Sequence, residues 1–327
     1  MTNQVFMLTG SMGCIGAWAM RVLMDEGTQI IATDLATDPV RPRLLLSDAE
    51  LARVTFVKLD VTDLNAVRGV VEQHGVTHII HLAGLQVPFC RANPSVGAHV
   101  NVVGTVNLFE AARHTRGQVQ GLAYASSLAV LGPDHLYPEK PVRDDAPLYP
   151  ATLYGVYKQA NEGTARIYWQ DWQIPSVGLR PYIVYGVARD QGMTSDIAKA
   201  MLAVAAGRPY HIRFGGPVAL QYADDVARMF IASARAGYAG AAACNLRNDV
   251  VDVGEFITRL QAHYPQAAIT HDPHNLLPFP ADLDDSGLAA ILGQVPHTPL
   301  DSAIGQTVAL FEDLLSRKRI DPKQLEG

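Results

Sequence analysis

The sequence predicts an α/β protein, a doubly wound parallel sheet with a smaller α/β cap formed by its C-terminal half. Three observations carry this prediction. Short β-branched or apolar runs alternate with stretches of helical spacing through the first 180 residues. A glycine-rich turn, Gly10-Ser11-Met12-Gly13-Cys14-Ile15-Gly16, joins the first run to the first helical stretch. Hydrophobic residues make up 48% and charged residues 18% of the 327, enough apolar material to cover both faces of a sheet.

The apolar runs at 5–8, 29–33, 54–59, 78–82, 122–125 and 176–179 read as strands, each short and bounded by turn residues. Between them, 15–26, 65–74, 95–114 and 154–172 carry apolar residues at helical spacing. Strands alternating with helices imply βαβ units, and right-handed crossovers then wind the sheet in both directions. After Pro181 the rhythm changes. A helix is expected at 194–206, a short strand at 210–214 and a second helix at 223–236. The stretch 271–299 is rich in Pro, Asp and His, with one helical patch at 286–292. A last helix at 299–315 runs into Arg317-Lys318-Arg319, which suits the negative end of a helix dipole. This divides the chain into a sheet domain at 1–180, joined by 216–248, and a cap made of 181–215 and 249–327. Ligands of such sheets lie at the C-terminal strand edge, beneath the cap.

Charge narrows the partners. Lys plus Arg number 26 and Asp plus Glu 32, a net charge of −6, with no basic run longer than three residues. Binding by phosphate neutralisation calls for a basic face, so nucleic acid is not an expected partner. Cys14, Cys90 and Cys244 are far apart with no CxxC spacing, which indicates neither a disulfide framework nor a thiolate metal site. Met1-Thr2-Asn3-Gln4 lacks a positive leader region, and no apolar run reaches about 18 residues. A soluble protein of a reducing compartment, the cytoplasm, is expected, with no membrane association. No metal is expected either. His78 and His81 are three apart in a strand and face opposite ways, while His271 and His274 share a loop without further ligands. The Asp-Asp pairs beginning at 144, 224 and 284 read as solvated caps.

In the glycine-rich turn, Gly10, Gly13 and Gly16 permit a tight bend, close approach of backbone to a pyrophosphate, and packing of helix on strand. The following helix offers free N–H groups and a partial positive charge. Asp34 closes the next strand, where a carboxylate accepts from ribose hydroxyls and repels a 2′-phosphate; no Lys or Arg follows before Arg41. NAD is therefore favoured over NADP. Asp60 ends the third strand and is read either as an adenine acceptor or as a helix N-cap.

Tyr154 and Lys158 stand four apart at the start of a helix, one turn apart on one face. A cation there is expected to lower the phenol toward neutrality, so that it can take an alcohol proton while hydride leaves the same carbon. Ser127 follows the strand at 122–125, where its hydroxyl can hold the substrate oxygen.

With these residues in place, the chain resembles the extended short-chain dehydrogenases/reductases, the NAD-dependent epimerase/dehydratase family. The resemblance covers nearly the whole chain. It includes Thr9–Gly16 as TGxxGxxG, Asp34, Asp60-Val61, His81-Leu82-Ala83-Gly84 and Asn101-Val102-Val103-Gly104-Thr105. It continues through Ala125-Ser126-Ser127, Tyr154-Gly155-x-x-Lys158, Leu179-Arg180-Pro181 and Asp225-Val226-Ala227. The resemblance implies a Rossmann-type fold, with Tyr154 as general acid/base, Lys158 bonding the nicotinamide ribose, and Ser127 orienting the substrate. It implies that Gly10, Gly13, Cys14, Ile15, Gly16, Asp34, Leu35, Asp60, Val61, Leu82, Ala83, Gly84, Asn101, Ser126 and Pro181 line the cofactor alongside Tyr154 and Lys158. It further implies a homodimer through the helices near 95–114 and 154–172.

The departures are informative. Gly84 stands where the family has Ala, and Tyr157 where Ser is common before the lysine. Ile183 replaces the Asn frequent in nucleotide-sugar enzymes, and 218–225 lacks the Arg that pairs a sugar-nucleotide pyrophosphate there, although Arg213 is close enough in sequence to substitute. A smaller sugar, sugar acid or polyol derivative fits better. Its contacts are expected from Gln86, Ser127, Arg189 and Thr194, with Arg189 suited to a carboxylate or phosphate. The expected activity is oxidation or reduction of a secondary alcohol on such a substrate, either as an epimerase through a transient ketone or as a net dehydrogenase. The alternatives are a nucleotide-sugar epimerase/dehydratase and a non-catalytic NAD sensor or scaffold. Cys14, at a helix start, reads either as a redox-sensitive thiolate or as small-residue packing.

Overall fold

The computed structural model describes residues 4–326; of the terminus discussed above, Met1, Thr2 and Asn3 lie outside the described residues. The strands are β1 (Val5–Thr9), β2 (Gln29–Asp34), β3 (Thr55–Lys58), β4 (His78–His81), β5 (Gly121–Ala125), β6 (Ser176–Arg180), β7 (Ile183–Tyr185), β8 (Tyr210–Ile212), β9 (Pro217–Tyr222), β10 (Ala241–Asn245), β11 (Asp249–Asp252) and β12 (Ile269–His271). The α-helices are α1 (Cys14–Asp25), α2 (Asp48–Leu51), α3 (Leu64–Gln73), α4 (Val87–Ala92), α5 (Pro94–Ala98), α6 (Gly104–His114), α7 (Leu153–Trp172), α8 (Asp196–Ala205), α9 (Ala223–Arg235), α10 (Val253–His263), α11 (Ser286–Leu292) and α12 (Leu300–Ser316).

Seven strands form one sheet in the order β10-β6-β5-β4-β1-β2-β3, and every neighbouring pair is parallel. The order reverses at β1, which makes the sheet a doubly wound Rossmann fold. The period-2 alternation of the strands decides which core each residue joins. Phe6 and Leu8 of β1 pack with α1, α8, α9 and α12 on one face; Val5 and Met7 pack with α3, α6 and α7 on the other. Burial on both faces explains why these strands read as continuous apolar runs.

The second half contains more structure than its sequence suggested. Strands β7, β9 and β11 make a three-stranded sheet, and β8 pairs with β12. Helix α10 fills residues that carried no helical expectation, and β10 completes the edge of the main sheet beside β6. The helix expected over 95–114 is broken by a π turn at His99–Val103. The carbonyl of Asn101 accepts from the Thr105 hydroxyl (2.7 Å) and from Asn161 Nδ2 (3.0 Å), so side chains take the place of the regular ladder there.

In two of the Asp pairs one member is not a solvated cap. Asp144 accepts from the Asn245 N–H, and burial raises its carboxyl to about 6. Asp225 is 2% exposed and accepts from both the N–H and the hydroxyl of Thr298, tying α9 to the start of α12. Among the described residues no helix is long and apolar enough to cross a membrane.

Candidate active site

The C-terminal ends of β1, β2, β3, β4 and β5 open into one cavity of about 470 Å³. Strand β1 stops at Gly10, whose φ of +64° suits glycine, and a Cβ there would stand 2.6 Å from the Ala83 nitrogen. The chain then turns into α1. Its N-cap Gly13 gives no side-chain cap, and its first turn holds no acid, so its amides are free to meet an anion. Asp34, at the end of β2, accepts from the Met12 N–H (3.0 Å) and the Leu35 N–H (2.8 Å), fixing the turn from behind. Asp60 also lines the cavity, and its reading as the helix N-cap is corrected. It accepts from the Thr62 N–H and hydroxyl, which hold its carboxyl below the usual range, and α3 is capped instead by Asp63.

Of the residues expected around the cofactor, Gly10, Gly13, Cys14, Ile15, Gly16, Asp34, Leu35, Asp60, Val61, Leu82, Ala83, Gly84, Ser126, Tyr154, Lys158 and Pro181 all line this cavity. Asn101 does not. It is fully buried behind the wall, where its Nδ2 donates to the carbonyls of Leu85 (3.1 Å) and Gly97 (2.9 Å). Its Oδ1 would lie 2.7 Å from a Cβ on Gly84, and Lys158 Nζ would lie 3.4 Å away, which is why Gly replaces the family's Ala. The other departure also has a role, since the Tyr157 hydroxyl donates to the Pro94 carbonyl (2.9 Å) and anchors α7 to α5. Cys14 is half-buried on the cavity wall, where its thiol donates to the Val187 carbonyl and burial pushes it up to about 12, which favours the packing reading.

Ser127, Tyr154 and Lys158 meet at the end of β5. Thr152 caps α7 through the Gly155 N–H, which sets the helix start and with it the direction of Tyr154. Lys158 Nζ donates to the Ala125 carbonyl (2.7 Å) and lies 5.5 Å from the centroid of the Tyr154 ring. Lys158 was expected to lower the Tyr154 phenol, but the phenol is raised. Burial raises the phenol above its ordinary value, opposed by a hydrogen bond with Ser127 and by the charge of Arg189. Burial likewise lowers Lys158 itself, to about 8.

Behind this group lies a buried polar assembly. Arg180 of β6 makes a bidentate pair with Glu162 of α7, both contacts at 2.8 Å, and Ser126 donates to the same carboxylate (2.5 Å). The other edge of Arg180 reaches the Asp144 carbonyl and Asn245 Oδ1. His81 is a satisfied core histidine between the hydroxyls of Thr9 (2.7 Å) and Thr105 (3.0 Å), lowered to about 3 by burial.

Gln86, Ser127, Arg189 and Thr194 line the cavity as expected for substrate contacts. Arg213 does not line it; the Nε–Nη2 edge of its guanidinium is held bidentately by Asp196 (2.9 and 2.7 Å). The segment that lacks the pyrophosphate arginine is β9, where Gln221 is buried and bridges the Tyr182 N–H to the Leu246 carbonyl. Sequence reasoning missed the wall formed by Tyr182, Val184, Leu277, Pro278 and Phe279. The readable signal was Leu276-Leu277-Pro278-Phe279-Pro280, an apolar island in a polar stretch.

The NAD dependent epimerase/dehydratase family model matches residues 6–254. A UDP-glucose 4-epimerase of Mycolicibacterium smegmatis is 29% identical over 320 residues, 94% of this chain and 98% of that protein. Two solved structures share the fold. A GalE-like L-threonine dehydrogenase from Cupriavidus necator has a TM-score of 0.79 at 21% identity, covering 93% of this chain and 99% of that one. A UDP-glucose 4-epimerase from Thermotoga maritima has a TM-score of 0.80 at 20% identity, covering 95% and 100%. With the dinucleotide turn, the Ser-Tyr-Lys group and a family match across three-quarters of its length, the chain belongs to the NAD-dependent epimerase/dehydratase family and is an NAD-dependent enzyme of the extended short-chain dehydrogenase/reductase type.

Proposed function

We propose that the enzyme interconverts a secondary alcohol and its ketone on a small carbohydrate-like substrate, a sugar, sugar acid or polyol derivative, as a net dehydrogenase or as an epimerase. The observation that carries this reading is the convergence of Ser127, Tyr154 and Lys158 on the cavity wall that also holds the uncapped start of α1. The residues fit NAD. The glycine turn leaves room for a pyrophosphate, the α1 amides face it without a competing acid, and Asp34 stands where ribose hydroxyls would donate. When bound, NAD supplies the hydride acceptor. Ser127 holds the substrate oxygen. Tyr154 takes the hydroxyl proton in the oxidative direction and returns one to the carbonyl oxygen in the reductive direction. Lys158 keeps a positive charge beside the Tyr154 ring and anchors it to β5 through Ala125.

A small substrate is favoured over a sugar nucleotide because Asp60, Asp34, Lys158 and Arg189 are the charged groups lining the cavity among the described residues. A diphosphate would need cations beyond one arginine. Purified enzyme with NAD should therefore form NADH, or invert one centre by NMR, with a member of a panel of free sugars, sugar acids and polyols. Turnover confined to nucleotide-sugars would reject the small substrate, and NAD binding without any turnover would favour the sensor.

We further propose a homodimer. Val96, Val103, Val156, Ile167 and Trp172 are exposed apolar residues on the helical face spanning 95–114 and 154–172. Sedimentation should give the mass of two chains for the wild type and of one for Val156→Glu. A monomeric wild type rejects this.

A further inference from the structure

We infer that the substrate carries a carboxylate close to the reacting alcohol, and that Arg189, assisted by Gln86 and Thr194, holds it. This rests on the alcohol chemistry proposed above and narrows its substrate class. Gln86 comes from the loop after β4 and Arg189 from the loop after β7, yet the two meet over Gly192. A Cβ on Gly192 would stand 2.9 Å from Gln86 Oε1 and 3.2 Å from Arg189 Nη2. At φ +101° the residue is one that favours glycine, so the backbone leaves this space to the two side chains. Arg189 Nη2 donates to the Thr194 hydroxyl (3.3 Å), and Arg189 Nε is buried with no partner. Among the described residues Thr194 is the one bonded partner of Arg189, a neutral hydroxyl, so the charge of the guanidinium is not neutralised within the wall it lines and is left for an anionic ligand.

The charge balance selects a carboxylate over a phosphate. Lys158 and Arg189 are the cations on the cavity wall among the described residues, and Lys158 is committed to the Ala125 carbonyl. The neighbouring Asp190 is already paired with Arg41 (2.9 Å), and Arg213 with Asp196, so one positive charge is free at this end. A carboxylate matches that charge, whereas a phosphate monoester brings about −1.5 to −2. The apolar wall of Leu277, Pro278 and Phe279, with Phe279 edge-on to Tyr182 (5.9 Å), favours a short acid over a ring with many hydroxyls, since each hydroxyl turned to that wall loses its hydrogen bonds. The same arginine acts on Tyr154, holding its phenol lower than burial alone would.

The test compares four-carbon acids (erythronate and threonate) with their neutral polyols (erythritol and threitol), with glycerol 3-phosphate and with UDP-glucose, reading NADH and NMR inversion. The acids should be turned over in preference. In Arg189→Met their kcat/KM should fall about 10- to 100-fold, the loss of a hydrogen-bonded charge pair. Arg189→Lys, which keeps the charge, should recover part of that loss, and turnover of the neutral polyols should change far less than that of the acids in either variant, a pattern a merely structural role would not give. Butyrate, which has no alcohol to oxidise, should raise the Tm of NAD-saturated wild type but not of Arg189→Met. Turnover of a polyol, glycerol 3-phosphate or UDP-glucose with the acids inert would overturn the carboxylate while leaving the alcohol chemistry standing. So would equal losses in both variants on every substrate. Silence with every alcohol would reject the chemistry, and the butyrate shift would then decide the carboxylate alone.

Discussion

Replacing Tyr154 with Phe should lower turnover about 10²- to 10⁴-fold, the usual contribution of a positioned acid/base, while NAD titrations stay within about twofold of wild type. The ring keeps its place on α7 and loses only the hydroxyl that meets Ser127. Equal loss of NAD binding and turnover would show instead that the ring is structural. The wild-type pH profile carries the same chemistry. Burial raises the phenol, so the neutral form dominates near neutral pH, and oxidation, which needs the phenolate, should speed up as pH rises. The climb should bend over above about 8, where Lys158 gives up its proton. Reduction, which starts from the phenol, should lack the climb. An oxidative rate that is flat with pH would remove Tyr154 from the proton transfer.

The second large effect is expected behind the site. The Arg180–Glu162 pair has side chains only 3% and 8% exposed. Arg180→Met leaves the Glu162 carboxylate buried with Ser126 as its remaining partner here, and Glu162→Gln leaves the guanidinium without its counter-charge. Removing one partner of a buried pair costs about 3–5 kcal/mol, far more than losing a surface bridge. Urea unfolding should show that loss for each single variant, and the double variant Glu162→Leu/Arg180→Met should be more stable than Arg180→Met. Turnover should fall in all three, because Ser126 is tied to this carboxylate and Ser127 follows it directly. Losses below about 1 kcal/mol would mean that water reaches the pair.

The first half of the fold was legible because its strands are buried on both faces and its turns are spelled in glycine. β1, the turn at Gly10 and α1 need only local information. The same holds for Tyr154 and Lys158, which are one helical turn apart. The second half was not legible because its elements depend on distant partners. β9 has strand composition but becomes a strand through β7 on one side and β11 on the other. Arg213 looked available in the sequence because its partner Asp196 lies 17 positions earlier, on another element. Asn101 was read toward the cofactor from its place in a family motif, and no local pattern reports that its Nδ2 turns inward to the Leu85 and Gly97 carbonyls. The expected effect of Lys158 on Tyr154 overlooked desolvation, which no spacing rule reports.

The edge position of β10 also governs how the chain can be made. During synthesis, six strands of the main sheet are available once residue 180 has emerged, but the strand that covers β6 arrives only with residues 241–245. Asn245 then clasps the Val142 and Asp284 carbonyls, so the clasp waits for a segment some forty residues further on. Until then β6 is an open strand edge, the kind that recruits another chain, and Arg180 lacks one of its acceptors. The last strand to arrive therefore both shields the nascent sheet from sticking to its neighbours and completes the support behind Ser126 and Ser127.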